Sequence, residues 1–267
     1  MNYLKSLLLA CLLLSGTFVM GQDLSQYQYK TFIREGDTLR YRLLLPANYN
    51  PRKSYPLIVF LHGAGERGYD NNAQLLHGGE MFLRDSIRKK YPAIVVFPQC
   101  PPDQTWAPMK VERDSSGKVK FDISADLPPT KPMTLLFGLV DSLSHSKNVN
   151  TRKIYVGGLS LGGMGTFYMI TRQPNIFAAA FPICGAGNAK EADRFAKTVP
   201  VWIFHGGDDK IVPVEASRAY DRELRALGAK VKYTEYPGVG HNSWDNVFVE
   251  PGLMSWLFSQ TKIDPKK

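Results

Sequence analysis

The chain has 267 residues, of which 44% are hydrophobic and 21% charged, a composition that excludes a disordered chain and allows one large core. Its three cysteines, with no Cys-x-x-Cys pair or Cys/His cluster, exclude a disulfide scaffold and give no sign of a zinc site. The net charge is +9, but no basic stripe with interleaved aromatic residues accompanies it, so we expect no nucleic-acid partner; Arg88-Lys89-Lys90 fits the solvated end of a helix.

The first 21 residues carry the features of an export signal. Lys5 provides a short positive segment, residues 6–14 are almost entirely apolar, and Gly21 offers a small residue at the end. We therefore predict a signal peptide over 1–21, cleaved after Gly21, and an exported protein, periplasmic or secreted. A lipoprotein signal that uses Cys11 ranks second, because the apolar run before it is very short. An uncleaved anchor ranks third, and no later segment is long and apolar enough to span a membrane.

From residue 28 onward, short apolar segments alternate with helical patterns. Residues 28–34 and 38–46 predict a hairpin of two strands. The next strands are apolar at nearly every position, as expected for parallel strands that are buried on both faces. Their predicted ranges are 56–61, 93–97, 153–157, 177–183 and 201–205, followed by a more alternating strand at 231–236. Helices are predicted over about 73–89, 132–146, 161–172, 214–227 and 251–260. This order predicts a single α/β domain over 22–267, with a mostly parallel eight-stranded sheet and helices on both faces.

The longest segment without a predicted strand or helix is 101–131. It begins with Pro101-Pro102, and its centre at 113–117 is polar. A loop of this length inside a compact domain is usually functional or mobile. The sequence therefore marks this segment as a candidate contributor to function.

The segment Gly158-Leu159-Ser160-Leu161-Gly162 directly follows a predicted strand and opens a predicted helix. A serine with glycine two residues to either side, in this strand–turn–helix context, is typical of a nucleophile elbow. The flanking positions must be small, because larger side chains would collide at so sharp a turn. An ordinary Gly/Ser turn is the alternative, but the context favours Ser160 as a nucleophile.

A serine hydroxyl needs a base to become a good nucleophile. Of the five histidines, only His205 and His241 follow Ser160, and the expected order in this architecture is serine, acid, histidine. We predict His241 as the base, because it lies in a loop after the last strand. His205 is expected to form hydrogen bonds that hold the loop with the catalytic acid. His77 and His145 are expected at the surface.

The base must be oriented by a buried carboxylate, which also stabilises the imidazolium ion. Asp208 and Asp209 both follow the strand at 201–205. We predict Asp209 as the acid, with Asp208 as the alternative. Asp245 is a weaker candidate, because it lies close to the histidine along the chain in a loop that we expect to be exposed.

A tetrahedral intermediate needs backbone N–H donors for its oxyanion. The residue after the serine, Leu161, should provide one. The second is expected from the loop His62-Gly63-Ala64-Gly65, which follows the strand at 56–61 and whose glycines let an amide turn inward. Ala64 is the predicted donor. A lone His-Gly-x-Gly segment is weak evidence and gains weight here from the serine motif.

Four segments, HGAGERG, GLSLGG, HGGDDKIVP and GVGHNSW, occur in this order at the ends of predicted strands. With them the chain resembles the α/β-hydrolase superfamily over essentially all of 22–267. It is similar in particular to secreted bacterial carboxylesterases of the prolyl-oligopeptidase-like, dienelactone-hydrolase-like, and feruloyl or acetyl-xylan esterase groups. The resemblance implies the α/β-hydrolase fold and these roles: nucleophile Ser160, acid Asp209, base His241, oxyanion donors Ala64 and Leu161. We expect no cofactor and no metal. The chain has no room for the propeller domain of the best-known prolyl oligopeptidases, which speaks against peptidase activity.

Two tryptophans are candidate substrate-binding residues. Trp244 lies three residues after His241, and Trp106 lies in the long loop. Either ring could stack on a sugar or an aryl group, and ordinary packing is the alternative.

Since 101–131 lacks the large apolar lid that long acyl chains need, we predict a serine esterase for short-acyl or phenolic esters, free or carried on a polysaccharide. A serine peptidase and a catalytically silent binding protein are the alternatives.

Cys100 and Cys184 are predicted to remain free thiols despite the oxidising destination. Cys100 follows the predicted strand 93–97, and Cys184 follows the predicted strand 177–183. In the usual strand order of the family, two other strands lie between these two strands. Three inter-strand steps of about 4.8 Å place the strands roughly 14 Å apart. A disulfide requires Cα atoms closer than about 7 Å.

Overall fold

The computed structural model describes residues 23–262 except 114 and 116–118, so the predicted signal peptide lies outside the described residues. Eight strands form the main sheet: β1 Gln28–Arg34, β2 Asp37–Leu44, β3 Tyr55–Leu61, β4 Ile94–Pro98, β7 Val149–Leu159, β8 Ala179–Ile183, β9 Val201–Gly206 and β10 Val231–Tyr236. Two further strands form a separate hairpin: β5 Met109–Arg113 and β6 Val119–Ile123. The α-helices are α1 Gly79–Leu83, α2 Asp85–Arg88, α3 Lys131–Ser144, α4 Leu161–Arg172, α5 Glu215–Ala226, α6 Trp244–Val247 and α7 Leu253–Ser259.

The main sheet has the strand order β1-β2-β4-β3-β7-β8-β9-β10. The pairs β1–β2 and β2–β4 are antiparallel, and all the others are parallel. The predicted fold class, a mostly parallel eight-stranded sheet, is thereby confirmed. The parallel arrangement also brings the carboxyl ends of β3, β7, β8 and β9 to one edge, where loops from several strands can meet.

The core lies on both sides of the sheet, as β3 illustrates. Leu57, Val59 and Leu61 belong to one apolar cluster, whereas Ile58 and Phe60 belong to the other. Both clusters exclude water, which explains why the strand is apolar at every position. Helices α3, α4 and α5 contribute to the first cluster and α1 and α7 to the second, with Leu136, Phe167, Leu224, Phe82 and Leu257 as representative contacts. Helices thus cover both faces, as predicted.

The region predicted as one helix over 73–89 is broken. It contains a 3-10 turn at Ala73–Leu75 followed by the short helices α1 and α2. Gly78 has a φ of +92°, a left-handed conformation that ends helical continuity, and Arg84 has an extended ψ of 128°. Aromatic side chains close in on Gly78 as well, because a Cβ there would lie 3.1 Å from the ring of Phe248. Tertiary packing therefore overrides the helical pattern of the sequence.

The segment 101–131, for which no regular structure is predicted, contains the β5–β6 hairpin. Met109 pairs with Ile123 and Val111 with Phe121, so apolar residues alternate along both strands. This period-2 pattern is the sequence signal for a hairpin, and the intervening charged residues conceal it. The expectation of an irregular loop is thus corrected.

The two ends of this segment are fixed next to each other. The hydroxyl of Thr130 donates to the carbonyl oxygen of Thr105 at 2.8 Å and lies 3.2 Å from that of Trp106. On the far side of the hairpin, Ser124 and the amide of Ala125 donate to the carboxylate of Glu191 at 2.7 and 2.9 Å. The hairpin therefore leaves and re-enters the domain body through anchored residues.

Two further predictions concern membranes and thiols. Among the helices of the described residues, none has the length and apolarity needed to cross a bilayer. Cys100 and Cys184 are both buried free thiols, as predicted, and two strands separate β4 from β8 in the sheet. Burial raises the pKa of the Cys100 thiol to about 12, so this side chain is kept in the unreactive protonated form.

Candidate active site

Ser160 occupies a sharp turn between β7 and α4. Its φ of +52° and ψ of −116° are rare for a residue with a side chain. The amide of Ser160 donates to the carbonyl of Ile183 at 2.9 Å, which ties the turn to the neighbouring strand. A Cβ at Gly158 would lie 2.6 Å from the carbonyl oxygen of Leu61, and one at Gly162 only 2.0 Å from it. Glycine at these two positions is therefore a steric requirement of the turn.

The structure brings Ser160, His241 and Asp209 together in one hydrogen-bonded row. His241 Nε2 lies 2.9 Å from Ser160 Oγ, and His241 Nδ1 lies 2.7 Å from Asp209 Oδ2. An ionised carboxylate only accepts, so Nδ1 carries the proton and Nε2 accepts from the serine hydroxyl. The Asp209 carboxylate is fully buried, while the His241 ring is 20% exposed. The imidazole is thus positioned to remove the serine proton.

Asp209 lies in a loop that is built to hold a negative charge. Its Oδ1 accepts from the amides of Ile211 and Val212 at 2.8 and 2.9 Å. Burial alone would raise the pKa of this carboxyl, but hydrogen bonds from His205, His241 and the two amides outweigh it and hold the pKa well below its ordinary value. The carboxylate is consequently ionised throughout the neutral range.

The two alternative acids lie elsewhere. Asp208 is exposed, and its amide donates to the carbonyl of Val239 at 2.9 Å. Asp245 is also exposed, and its carboxylate accepts from Asn242. Neither carboxylate has a hydrogen bond to His241 in the structure.

His205 holds the loop that carries Asp209 in place. Its Nε2 lies 2.9 Å from the carbonyl of Val212 and 3.2 Å from Asp209 Oδ2, and its Nδ1 lies 2.7 Å from Ser217 Oγ. The carbonyl requires a donor, so the proton is on Nε2 and the serine hydroxyl donates to Nδ1. The prediction that His205 holds this loop by hydrogen bonds is confirmed.

One predicted oxyanion donor follows Ser160 directly in the chain, and the other lies in a turn next to Gly63, which approaches Ser160. Leu161 begins α4, where the first amides of a helix have no intrahelical acceptor. Ala64 begins a 3-10 turn, Ala64–Glu66, directly after β3. Gly63 brings this turn close to Ser160, because a Cβ on Gly63 would lie 3.6 Å from Ser160 Cβ. We call residues 62–66, which contain the predicted donor Ala64, the oxyanion loop.

His62 fixes the start of the oxyanion loop. Its Nε2 accepts from the amide of Cys100 at 2.9 Å, so its Nδ1 carries the proton and donates to the carbonyl of Gly63 at 2.6 Å. Burial lowers the pKa of His62 to about 4. The ring is therefore neutral near pH 7, and it links the oxyanion loop to the end of β4.

Trp106 differs from the sequence expectation. Its side chain is fully buried, and its Nε1 donates to the carbonyl of His62 at 3.1 Å. The ring also contacts the imidazole of His62, with centroids 5.2 Å apart, and fills the space beside Gly165, where a Cβ would lie 2.6 Å from Trp106 Cβ. Trp106 is thus a support of the oxyanion loop, and a substrate ring cannot stack on it in this arrangement.

Trp244 remains next to the site. Its ring is half-buried and meets the His241 ring edge-on, with centroids 5.4 Å apart. It also contacts the ring of His77, with 5.1 Å between the centroids. His77, expected at the surface, is therefore partly buried, whereas His145 is exposed as expected.

Glu66 is a residue that the sequence analysis did not single out. Its side chain is 8% exposed and faces His77, with 3.6 Å between Glu66 Oε1 and His77 Nε2. Its position within the quoted segment HGAGERG was the available signal. A charged residue among glycines is ordinarily exposed, so the pattern gave no reason to place it inside.

The neutral, buried state of His62 should make stability depend on pH. Its pKa is about 4 in the folded protein against an ordinary value of 6.5, so below pH 6.5 the unfolded chain binds a proton that the folded chain does not. This contribution to the free energy of unfolding, about 3 kcal/mol, should be present above pH 6.5 and lost as the pH falls to 4. Urea titrations at several pH values would measure it.

The matched variant for this measurement is His62→Gln, whose amide can still donate and accept but does not titrate. It should be less stable than the wild-type protein near pH 7 and lose less stability on acidification. Equal pH dependence in the two proteins would contradict the assignment of this effect to His62.

The fold and this arrangement of side chains define an α/β hydrolase, as predicted. The model of the phospholipase/carboxylesterase family matches residues 49–250, and the chain belongs to that family. Its predicted membership in a serine-hydrolase family is confirmed with it.

Similar proteins include several esterases. A crystal structure of a thermostable esterase superposes with a TM-score of 0.80 at 36% identity, covering 89% of this chain and 64% of that one. A bifunctional acetylxylan esterase/xylanase of Neocallimastix patriciarum is 26% identical over 67% of this chain and 23% of its own length. Lysophospholipase-like protein 1 of Mus musculus is 22% identical over 76% of this chain and 86% of its own. The chain thus spans less than two thirds of the length of the thermostable esterase and of the acetylxylan esterase/xylanase.

Proposed function

We propose that the protein is a serine carboxylesterase. Ser160 attacks the ester carbonyl while His241 takes its proton, and Asp209 orients the imidazole and stabilises its charged form. His241 then gives the proton to the leaving alcohol. Water, activated by the same histidine, hydrolyses the acyl-enzyme and releases the acid and free Ser160.

The oxyanion of each tetrahedral intermediate is stabilised by backbone amides in this proposal. Leu161 provides one donor from the first turn of α4, and Ala64 provides the other from the oxyanion loop. Preorganised donors are effective because they need no reorientation when charge develops. The hydrogen bonds of His62, Trp106 and the Ser160 amide support this role, since they fix the loop and the elbow before substrate arrives.

The observation that carries the proposal is the row of hydrogen bonds from Asp209 through His241 to Ser160, at 2.7 and 2.9 Å. A serine in a strained turn, an imidazole in the required tautomer and an ionised buried carboxylate are what acyl transfer needs. Membership of the phospholipase/carboxylesterase family agrees with this chemistry.

For the substrate we propose an ester with an acyl group of modest size, carried on a carbohydrate or on a small phenolic compound. The similarity to an acetylxylan esterase supports this choice, as does the half-buried Trp244 ring beside His241. Export, which residues 1–21 predict, stays a prediction.

A substrate panel tests the proposal. Acetyl, butyryl and feruloyl esters, with and without attached xylan fragments, should be hydrolysed faster than the comparison substrates. Long-chain triglycerides and peptides with a chromogenic leaving group serve as comparison substrates. A strong preference for triglycerides would contradict the assigned substrate class. Peptide cleavage at ester-like rates would indicate a peptidase, and inactivity on every substrate would favour a binding protein.

A further inference from the structure

Glu66 is a buried carboxylate without a hydrogen bond among the described residues. Its Oε2 is cut off from solvent and has no partner. Its Oε1 lies 3.6 Å from His77 Nε2, which is beyond hydrogen-bond distance. A polar atom that is buried without a partner is costly, and each such atom in a folded protein calls for an explanation.

The unpaired Glu66 carboxylate lies close to Ser160. A Cβ built on Gly63 would lie 3.0 Å from Glu66 Oε2 and 3.6 Å from Ser160 Cβ. The carboxylate and the serine therefore pack against the same glycine.

His77 connects this carboxylate to an open cleft. The His77 side chain is 31% exposed, and it borders a cleft of about 200 Å³ lined also by Leu76, Glu80, Arg84, Asp245 and Phe248. The ring of Trp244 contacts both His77 and His241, with centroid distances of 5.1 and 5.4 Å. His77 thus belongs both to the wall of the cleft and to a chain of aromatic contacts that leads to the candidate base.

We propose that Glu66 and His77 form a subsite that binds a hydroxyl group of the substrate's alcohol part, so that the preferred ester is one of a polyol such as a sugar. This inference rests on the proposed esterase function. A hydroxyl can donate to Glu66 Oε1, the carboxylate oxygen that faces His77, and at the same time accept from the His77 N–H. An ammonium group could only donate, and an aryl ring could do neither. The Trp244 ring offers an apolar surface for the sugar's C–H groups.

Two substrates with the same acyl group test the subsite. One is p-nitrophenyl acetate, whose alcohol part has no further hydroxyl, and the other is a monoacetylated methyl xyloside. His77→Phe keeps a ring against Trp244 but removes both ring nitrogens. It should lower the ratio of kcat/KM on the xyloside to kcat/KM on p-nitrophenyl acetate by about 10- to 100-fold, the effect of one or two hydrogen bonds to charged or polar partners.

Glu66→Gln provides a second, nearly isosteric variant and should shift the same ratio in the same direction. His145→Phe is the matched control, since His145 is exposed on α3's C-terminal side and should leave both rates unchanged. Thermal unfolding of each variant separates lost activity from lost folding.

The outcomes separate this inference from the function on which it rests. An unchanged ratio in His77→Phe, or an equal loss on both esters, would overturn the hydroxyl subsite while leaving the esterase assignment in place. A larger loss on 2-aminoethyl acetate than on the xyloside would assign the subsite to an ammonium group instead. Inactivity of the wild-type protein on both acetates would overturn the esterase function and the subsite together.

Discussion

Replacement of Ser160 by alanine should lower the turnover of p-nitrophenyl acetate by a factor of about 10³ or more. The variant loses the atom that forms the acyl-enzyme, while Asp209 and His241 keep the hydrogen bond between them, 2.7 Å long. The elbow glycines and the bond from the residue 160 amide to Ile183 do not depend on the hydroxyl. The folded state should therefore survive, and rates measured at equal protein concentration report chemistry.

The control for this experiment is Ser255→Ala, which removes an exposed hydroxyl on α7 that donates to the carbonyl of Gly252. Its rate should match the wild-type rate. A fluorophosphonate probe adds an independent measurement, because it should label the wild-type protein and the control but not the Ser160 variant. Substantial activity or labelling without Ser160 would rule out the acyl-enzyme mechanism.

Asp209→Asn should lower kcat by about 10⁴, with a much smaller change in KM. The asparagine side chain can present an N–H to His241 Nδ1, which then becomes the acceptor and places the ring proton on Nε2. In that tautomer the ring cannot take the proton of Ser160, although the geometry is nearly unchanged. The measurement is steady-state kinetics on p-nitrophenyl acetate.

Asp208→Asn is the matched control, because Asp208 is the neighbouring residue, carries the same side chain and is exposed. Its kcat should stay within about threefold of the wild-type value, as expected for a surface charge. If the Asp208 variant lost activity and the Asp209 variant kept it, the acid would have to be reassigned.

The sheet could be predicted well from the sequence because of its physical situation. Strands β3, β4 and β9 are buried on both faces, so they appear as uninterrupted apolar runs with clear ends. Residues 73–89 could not be placed, because a left-handed Gly78 in contact with Phe248 breaks a pattern that is helical in isolation. Contacts of this kind are not encoded within a local window.

The same distinction holds within the candidate site. Ser160, Asp209 and His241 follow from motifs whose backbone geometry demands particular residues, such as the glycines around the elbow. Trp106 and Glu66 depend on burial, which the residue type does not reveal. Trp106 is a fully enclosed hydrogen-bond donor to His62, and Glu66 is an acid in a position where acids are rare.

The anchored ends of the β5–β6 hairpin have a consequence for how this protein can change. Thr130 closes the base of the segment against Thr105 and Trp106, and Glu191 holds the returning chain at Ser124 and Ala125. Between these anchors, Ile123 packs in the same apolar core as Trp106, whereas Val111 is exposed. The exposed part of the hairpin is therefore an exchangeable module: its length and sequence can diverge among related proteins, or be grafted by design, while Ser160 and the oxyanion loop keep their geometry.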